Sequence, residues 1–99
     1  MEVIYNLIEK ELNALRKSDK VTKHDVFGHI NHLTKVGYSI TRPQGDQVIN
    51  DIYELRPKKY RILYTYKNGK AYLLCIYKKS GSKVPTHELN KAIDRKSRL

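Results

Sequence analysis

The chain has 99 residues, with 20 Lys and Arg against 10 Asp and Glu, a formal charge of +10 and a pI near 9.8. That is enough chain for one domain with a single modest core, and the cation excess favours nucleic acid, an acidic protein or an anionic surface as partner over the bland reading of a merely soluble basic protein. No apolar run approaches the roughly 20 residues of a membrane span, the N-terminus has no signal-peptide pattern, and one cysteine cannot form an internal disulfide; a cytoplasmic protein with no membrane partner is expected.

Ile4, Leu7, Ile8, Leu12 and Leu15 recur at helical spacing and predict an amphipathic helix from Val3 to Arg16. Lys17 to Lys20 breaks it. A second helix follows, with Val26, Ile30, Leu33 and Val36 as its apolar face. Thr22 with Asp25 resembles a capping box, Ser18 and Asp19 are alternative caps, and Gly37 supplies the stop. Gly28 inside this helix suggests close packing between the two helices. The short link makes an αα-hairpin that must bury its apolar stripe on a sheet. His24, His29 and His32 lie on the second helix, but two or three histidines without a matching Cys or carboxylate pattern make a weak metal site.

Ser39 to Asn50 reads as a polar surface connector without strand period. From Ile52 to Lys79, three runs rich in Ile, Leu and Tyr are separated by Pro57-Lys58-Lys59 and by Asn68-Gly69. Asn-Gly is a strong hairpin signal because both turn residues must take positive φ. It pairs Tyr60–Tyr66 with Ala71–Lys78 as antiparallel strands, with Ile49–Arg56 as a third. A basic loop, Lys78 to Lys83, leads to Pro85 and a short helix to about Lys96, with Leu89, Ala92 and Ile93 facing inward. Lys91, Arg95, Lys96 and Arg98 crowd its end, where they suit the helix dipole or a run of phosphates.

The chemistry-bearing residues are the cations among apolar strands. Arg56, Arg61, Lys78, Lys79 and Lys83 come from adjacent strand ends and the loop after them. Arginine suits phosphate because its planar fork donates two parallel hydrogen bonds and stays charged. Such groups stabilise charge on phosphodiester transition states, while a Lys, Tyr or His moves protons. Tyr77 and His87 are the nearest candidates for stacking or proton transfer. Cys75, between Leu74 and Ile76 in mid-strand, reads as a small buried hydrophobe.

Tyr53-Glu54-Leu55-Arg56-Pro57, Arg61-Ile62-Leu63-Tyr64, Leu73-Leu74, Lys78-Lys79, Lys83, Pro85 and Ala92 together resemble the HigB-like, phage-associated branch of the RelE/ParE toxin superfamily. The resemblance runs over residues 3–95 in element order. It implies an α+β fold over 1–99: an N-terminal αα-hairpin on a small antiparallel sheet of three strands, with a fourth left open, and a short C-terminal helix. It implies a toxin that cleaves translated mRNA on the ribosome through attack by the RNA 2′-hydroxyl, with no metal or cofactor. It also implies a cognate antitoxin, of helix-turn-helix type, as partner.

By that resemblance Arg61 meets the scissile phosphate, joined by Arg56 and Lys79 and by His87 as a proton-transfer candidate. Lys58, Lys59, Lys78, Lys83 and Tyr77 are the RNA-binding candidates. The pattern is broken where the family's two lysines fall on Ile52 and Glu54, where Val84 replaces a threonine, and where the family's first strand is missing. A ParE-like gyrase inhibitor and a non-catalytic nucleic-acid-binding module stay open as alternatives.

Overall fold

The computed structural model describes residues Met1–Leu99. Five strands form one mixed sheet in the order β1-β5-β4-β3-β2, where β1 is Glu2–Ile4, β2 Gly45–Ile49, β3 Ile52–Leu55, β4 Tyr60–Lys67 and β5 Lys70–Lys78. Helices α1 (Glu9–Leu15) and α2 (Lys20–Val36) cover one face, and α3 (Thr86–Ser97) covers the other. No helix is long and apolar enough to cross a membrane.

The β4–β5 hairpin forms as its turn chemistry requires, with Asn68 at φ 53° and Gly69 at φ 75°. Alternation along β4 then divides its side chains between two cores. Ile62 and Tyr64 join Ile8, Leu12, Leu15, Val26 and Leu33 under the helical hairpin, while Leu63 joins Ile52, Leu74, Cys75 and Ala92 under α3. Both faces are buried, which is why the strands read as near-continuous apolar runs.

Several expectations are corrected. The sheet has five strands, because Glu2–Ile4 pairs parallel to β5, with Val3 opposite Ala71, and Gly45–Ile49 pairs antiparallel to β3. The first strand is therefore present. Its three residues are too few to show a period of two, and Ile4 happens to fall in phase with the helical repeat of Ile8, Leu12 and Leu15. The first helix consequently begins at Glu9, after a 3₁₀ turn at Asn6–Ile8. The polar stretch before Asn50 hides β2, whose edge residues Asp46 and Gln47 mask its alternation, and β3 starts at Ile52 after a turn at Asn50. Gly28 faces open space, with nothing within 4 Å of an added Cβ, so it does not mark a helix–helix contact.

The helix boundaries follow local chemistry. Asp19 caps α2, accepting from the Thr22 N–H at 2.9 Å and from the Thr22 hydroxyl at 2.9 Å. Gly37 ends α2 with φ 57° and ψ −122°, a region open essentially to glycine. In α3, Ala92 is buried whereas Ile93 is 42% exposed, so Ile93 does not face inward. Arg95 turns in, donating through Nη1 to Leu74 O at 2.7 Å and Leu7 O at 3.4 Å.

β5 carries the feature that positions the site. Leu63 pairs with Cys75 but Tyr64 pairs with Leu73, so Leu74 is an extra residue, a bulge opposite the Leu63–Tyr64 step. Two consecutive residues, Leu74 and Cys75, accordingly lie in the α3-side core. Beyond the bulge the parity of β5 is reversed: Ile76 faces the helical hairpin and Tyr77 faces α3. Arg95 satisfies the carbonyl of the bulged residue.

Gly37→Ala should lower stability by about 2 kcal/mol, since it forces an L side chain into a sparsely populated backbone region, and its Cβ would press on Met1 Cε at 3.2 Å. For a domain of this size that is a melting temperature lower by roughly 10 °C. Thermal unfolding followed by circular dichroism checks it.

Candidate active site

At the end of the sheet where β3 finishes and β4 begins, alternation puts Glu54 and Arg56 on the α3 side. Arg61, directly opposite Tyr77 in the β4–β5 ladder, lies on that side too. The bulge brings Tyr77 there. Lys79 follows two residues later, its N–H bonded to Lys59 O at 2.8 Å, which clamps the β3–β4 turn to the end of β5. The loop Gly81–Val84 closes the rim. The result is a hollow of about 110 Å³ lined by Arg56, Arg61, Lys79 and Lys83 together with Glu54 and Tyr77.

Arg61 is 8% exposed. It donates through Nη1 to Pro57 O and to Tyr60 O, the latter at 2.8 Å; its other N–H groups make no hydrogen bond within the protein. Glu54, on the neighbouring strand, pairs with Arg56 rather than Arg61, Oε1 to Nε at 3.6 Å. A buried guanidinium costs free energy unless its donors are met, and two backbone carbonyls meet part of that need while leaving its charge uncancelled. Arg61 thus has a structural task, holding the Pro57–Tyr60 turn, besides lining the hollow.

Glu54 is the residue that the sequence pattern does not single out. Its side chain is 14% exposed and it is the sole carboxylate lining the hollow. Set against the family's lysines it looks only like a departure. The signal that could have found it is its alternation with Arg56 on a strand paired to the one carrying Arg61.

Of the nine candidate residues, the hollow gathers Arg56, Arg61, Lys79, Lys83 and Tyr77. Lys58 and Lys59 line a separate hollow beside α2, with Val21, Asp25 and Tyr60. Lys78 points to the hairpin side, since adjacent strand residues face opposite ways. His87 stands outside, 77% exposed, with Nε2 3.2 Å from Glu88 Oε2. The basic residues of α3 are engaged by carboxylates or carbonyls: Lys91 by Glu88, Lys96 by Asp51, Arg98 by Asp94, Arg95 as above. No group of three potential metal ligands comes together. His29 donates through Nδ1 to Asp25 O at 2.8 Å. Burial pushes the Cys75 thiol up to about 12, so it is not a thiolate at neutral pH.

Burial also pushes the Tyr77 phenol up to about 12, with Glu54 and Cys75 adding to the effect and Arg61 opposing it. The hydroxyl therefore keeps its proton across the neutral range. A phenol raised above its ordinary value of 10.0 contributes stability that is complete below pH 10 and is lost as pH rises towards 12. Tyrosinate absorbance, compared between wild type and Tyr77→Phe, should show one ionisation near pH 12 missing from the variant; a missing step at the ordinary pH would contradict this placement.

A search of curated proteins finds no match. Among solved structures, a chain of the YoeB–YefM complex from Staphylococcus aureus superposes with a TM-score of 0.61 at 9% identity, over 83% of this chain and 98% of that one. A chain of the heterotetrameric YoeB–YefM toxin–antitoxin complex from the same organism gives 0.58 at 10% identity, over 74% and 90%. At such identity the likeness is one of fold. The sequence itself is matched over residues 10–97 by the family model described as phage derived protein Gp49-like (DUF891). That span holds both long helices, four of the five strands and every residue of the hollow, and the chain belongs to the Gp49-like family.

Proposed function

We propose that this protein is the toxin of a type II toxin–antitoxin pair, of RelE/ParE type and of its HigB-like branch. In this reading it is an endoribonuclease that acts on translated mRNA at the ribosome in the cytoplasm and is restrained by an antitoxin, which we take to be a helix-turn-helix protein. The observation that carries the reading is the convergence of Arg56, Arg61, Lys79 and Lys83 around one small hollow that also contains a carboxylate and a protonated phenol. The fold shared with chains of YoeB–YefM assemblies supports it.

The geometry suits transfer within a phosphodiester. Glu54 accepts the proton of the RNA 2′-hydroxyl, whose oxygen forms a bond to the adjacent phosphorus. Charge that builds on the non-bridging oxygens meets Arg61 and Arg56, fixed in place before the reaction, so little reorganisation is needed. The bond from phosphorus to the 5′-oxygen breaks, and that oxygen takes a proton from Tyr77. The products are a 2′,3′-cyclic phosphate and a free 5′-hydroxyl. Lys79 and Lys83, both exposed, hold the flanking backbone.

Primer extension on reporter transcripts after induction should show cuts within translated regions and little cutting of naked RNA. Glu54→Gln should lower the rate by about 10²–10⁴, the range for loss of a general base, and Arg61→Ala by about 10²–10³. Because Arg61 also holds two carbonyls, its Ala variant should melt below wild type, while Arg61→Lys recovers stability more fully than rate, an ammonium lacking the two-pronged contact. Intact messages beside accumulating gyrase–DNA cleavage complexes would overturn the nuclease reading in favour of gyrase inhibition.

A further inference from the structure

A second hollow, of about 340 Å³, opens at the same end of the sheet on the hairpin side. It lies between the later turns of α1 and the end of β5. Leu15 and Ile76 give it an apolar floor, Tyr60 adds an aromatic residue, Tyr77 borders it from β5, and Glu11 and Lys78 bring charge. Its chemistry is the reverse of the cationic hollow: larger, mostly apolar, and with a single cation. The first gathers cations suited to an anion, and the second offers apolar and aromatic surface with one carboxylate at its rim.

The two are contiguous. Tyr77 lines both, and the Tyr60 carbonyl holds Arg61 Nη1 at 2.8 Å. Beyond Tyr72 this edge of β5 has no strand partner, because β1 pairs only with Lys70, Ala71 and Tyr72. Lys78 and Lys79 point to opposite faces of that edge, so a phosphate chain crossing it meets a cation on either side. We infer that the second hollow seats the base of one nucleotide next to the phosphate held at Arg61, with Tyr60 as its aromatic platform and Glu11 as the reader of its edge. This rests on the nuclease reading above.

Glu11 gives the subsite a preference. It is the sole carboxylate of this hollow, and an ionised carboxylate only accepts hydrogen bonds. Adenine, cytosine and guanine carry exocyclic amino donors; uracil carries none. A base with an amino group therefore satisfies Glu11 without opposition, whereas uracil offers a single N3–H flanked by two carbonyl oxygens that repel the carboxylate.

The test is primer extension across a reporter whose translated codons are randomised, comparing wild type with Glu11→Ala, Tyr60→Phe and Tyr60→Ala, with melting curves for each. Wild type should avoid uracil at one position beside the cut. Glu11→Ala should raise cutting at uracil-bearing sites about tenfold relative to the others, a ratio that a general loss of activity cannot produce. Tyr60→Phe, which keeps the ring, should retain the wild-type profile, whereas Tyr60→Ala should weaken cutting by about 10- to 100-fold, the scale of one lost stacking contact. Should Tyr60→Ala fail to fold, the surface variant Glu11→Ala decides alone. Cutting by wild type with a profile that Glu11→Ala leaves unchanged overturns the base subsite and spares the nuclease; absence of cutting by wild type overturns the nuclease reading and the subsite with it.

Discussion

A buried guanidinium held within the sheet organises the end of the molecule where β3 finishes and β4 begins. Arg61 sits in β4 between Tyr60 and Ile62, 8% exposed, and no carboxylate pairs with it. The backbone compensates. Pro57 and Tyr60 turn their carbonyls inward, which fixes the β3–β4 turn. The same turn presents the Lys59 carbonyl to the Lys79 N–H and so brings the end of β5 alongside. Carbonyl dipoles hold the guanidinium without cancelling its charge, whereas a carboxylate partner would have consumed it. The field of Arg61 is thus still available to an anion.

Glu54 follows the same logic of position. Set among four cations, it engages Arg56 at 3.6 Å, a separation at which attraction is present but a tight hydrogen bond is not. A carboxylate so placed keeps acceptor capacity for an incoming hydroxyl. Tyr77, half-buried beside Glu54 and Arg61, completes a set of one carboxylate, one phenol that keeps its proton in the neutral range, and four cations.

Much of this is legible in the chain. The Asn68-Gly69 turn, the strands it joins and the α2 stop at Gly37 follow from local rules, and those rules hold because φ > 0 is costly for anything but Gly or Asn. The clustering of Arg56, Arg61, Lys79 and Lys83 follows from strand ends being neighbours. What cannot be read is just as physical. β1 is three residues long and β2 is an edge with polar outer residues, so neither shows a period. The partner of Glu54 depends on which neighbour lies nearer in a twisted sheet, and the order of the strands does not decide it. Lys78 and Lys79 look like a pair in one dimension, yet pleating divides them between two faces. His87 sits close to the hollow in sequence, but the first turn of α3 carries it out to solvent.

The bulge at Leu74 has a consequence for how such a protein can change over generations. Substitutions in β5 act one side chain at a time, and most apolar exchanges there would leave the face of every later residue as it is. Loss of a single codon between Leu73 and Tyr77 is different. It would restore plain alternation, turn Tyr77 and Lys79 towards the helical hairpin and bring Lys78 round in place of Lys79, with hardly any change in composition or hydropathy. The Leu74 carbonyl that Arg95 now binds would be gone or displaced. A lineage could therefore keep the fold and dismantle the cationic hollow in one step, and the reverse insertion would return it. Within this sheet, reading frame along the strand is a hereditary switch that residue-by-residue comparison of related chains would pass over.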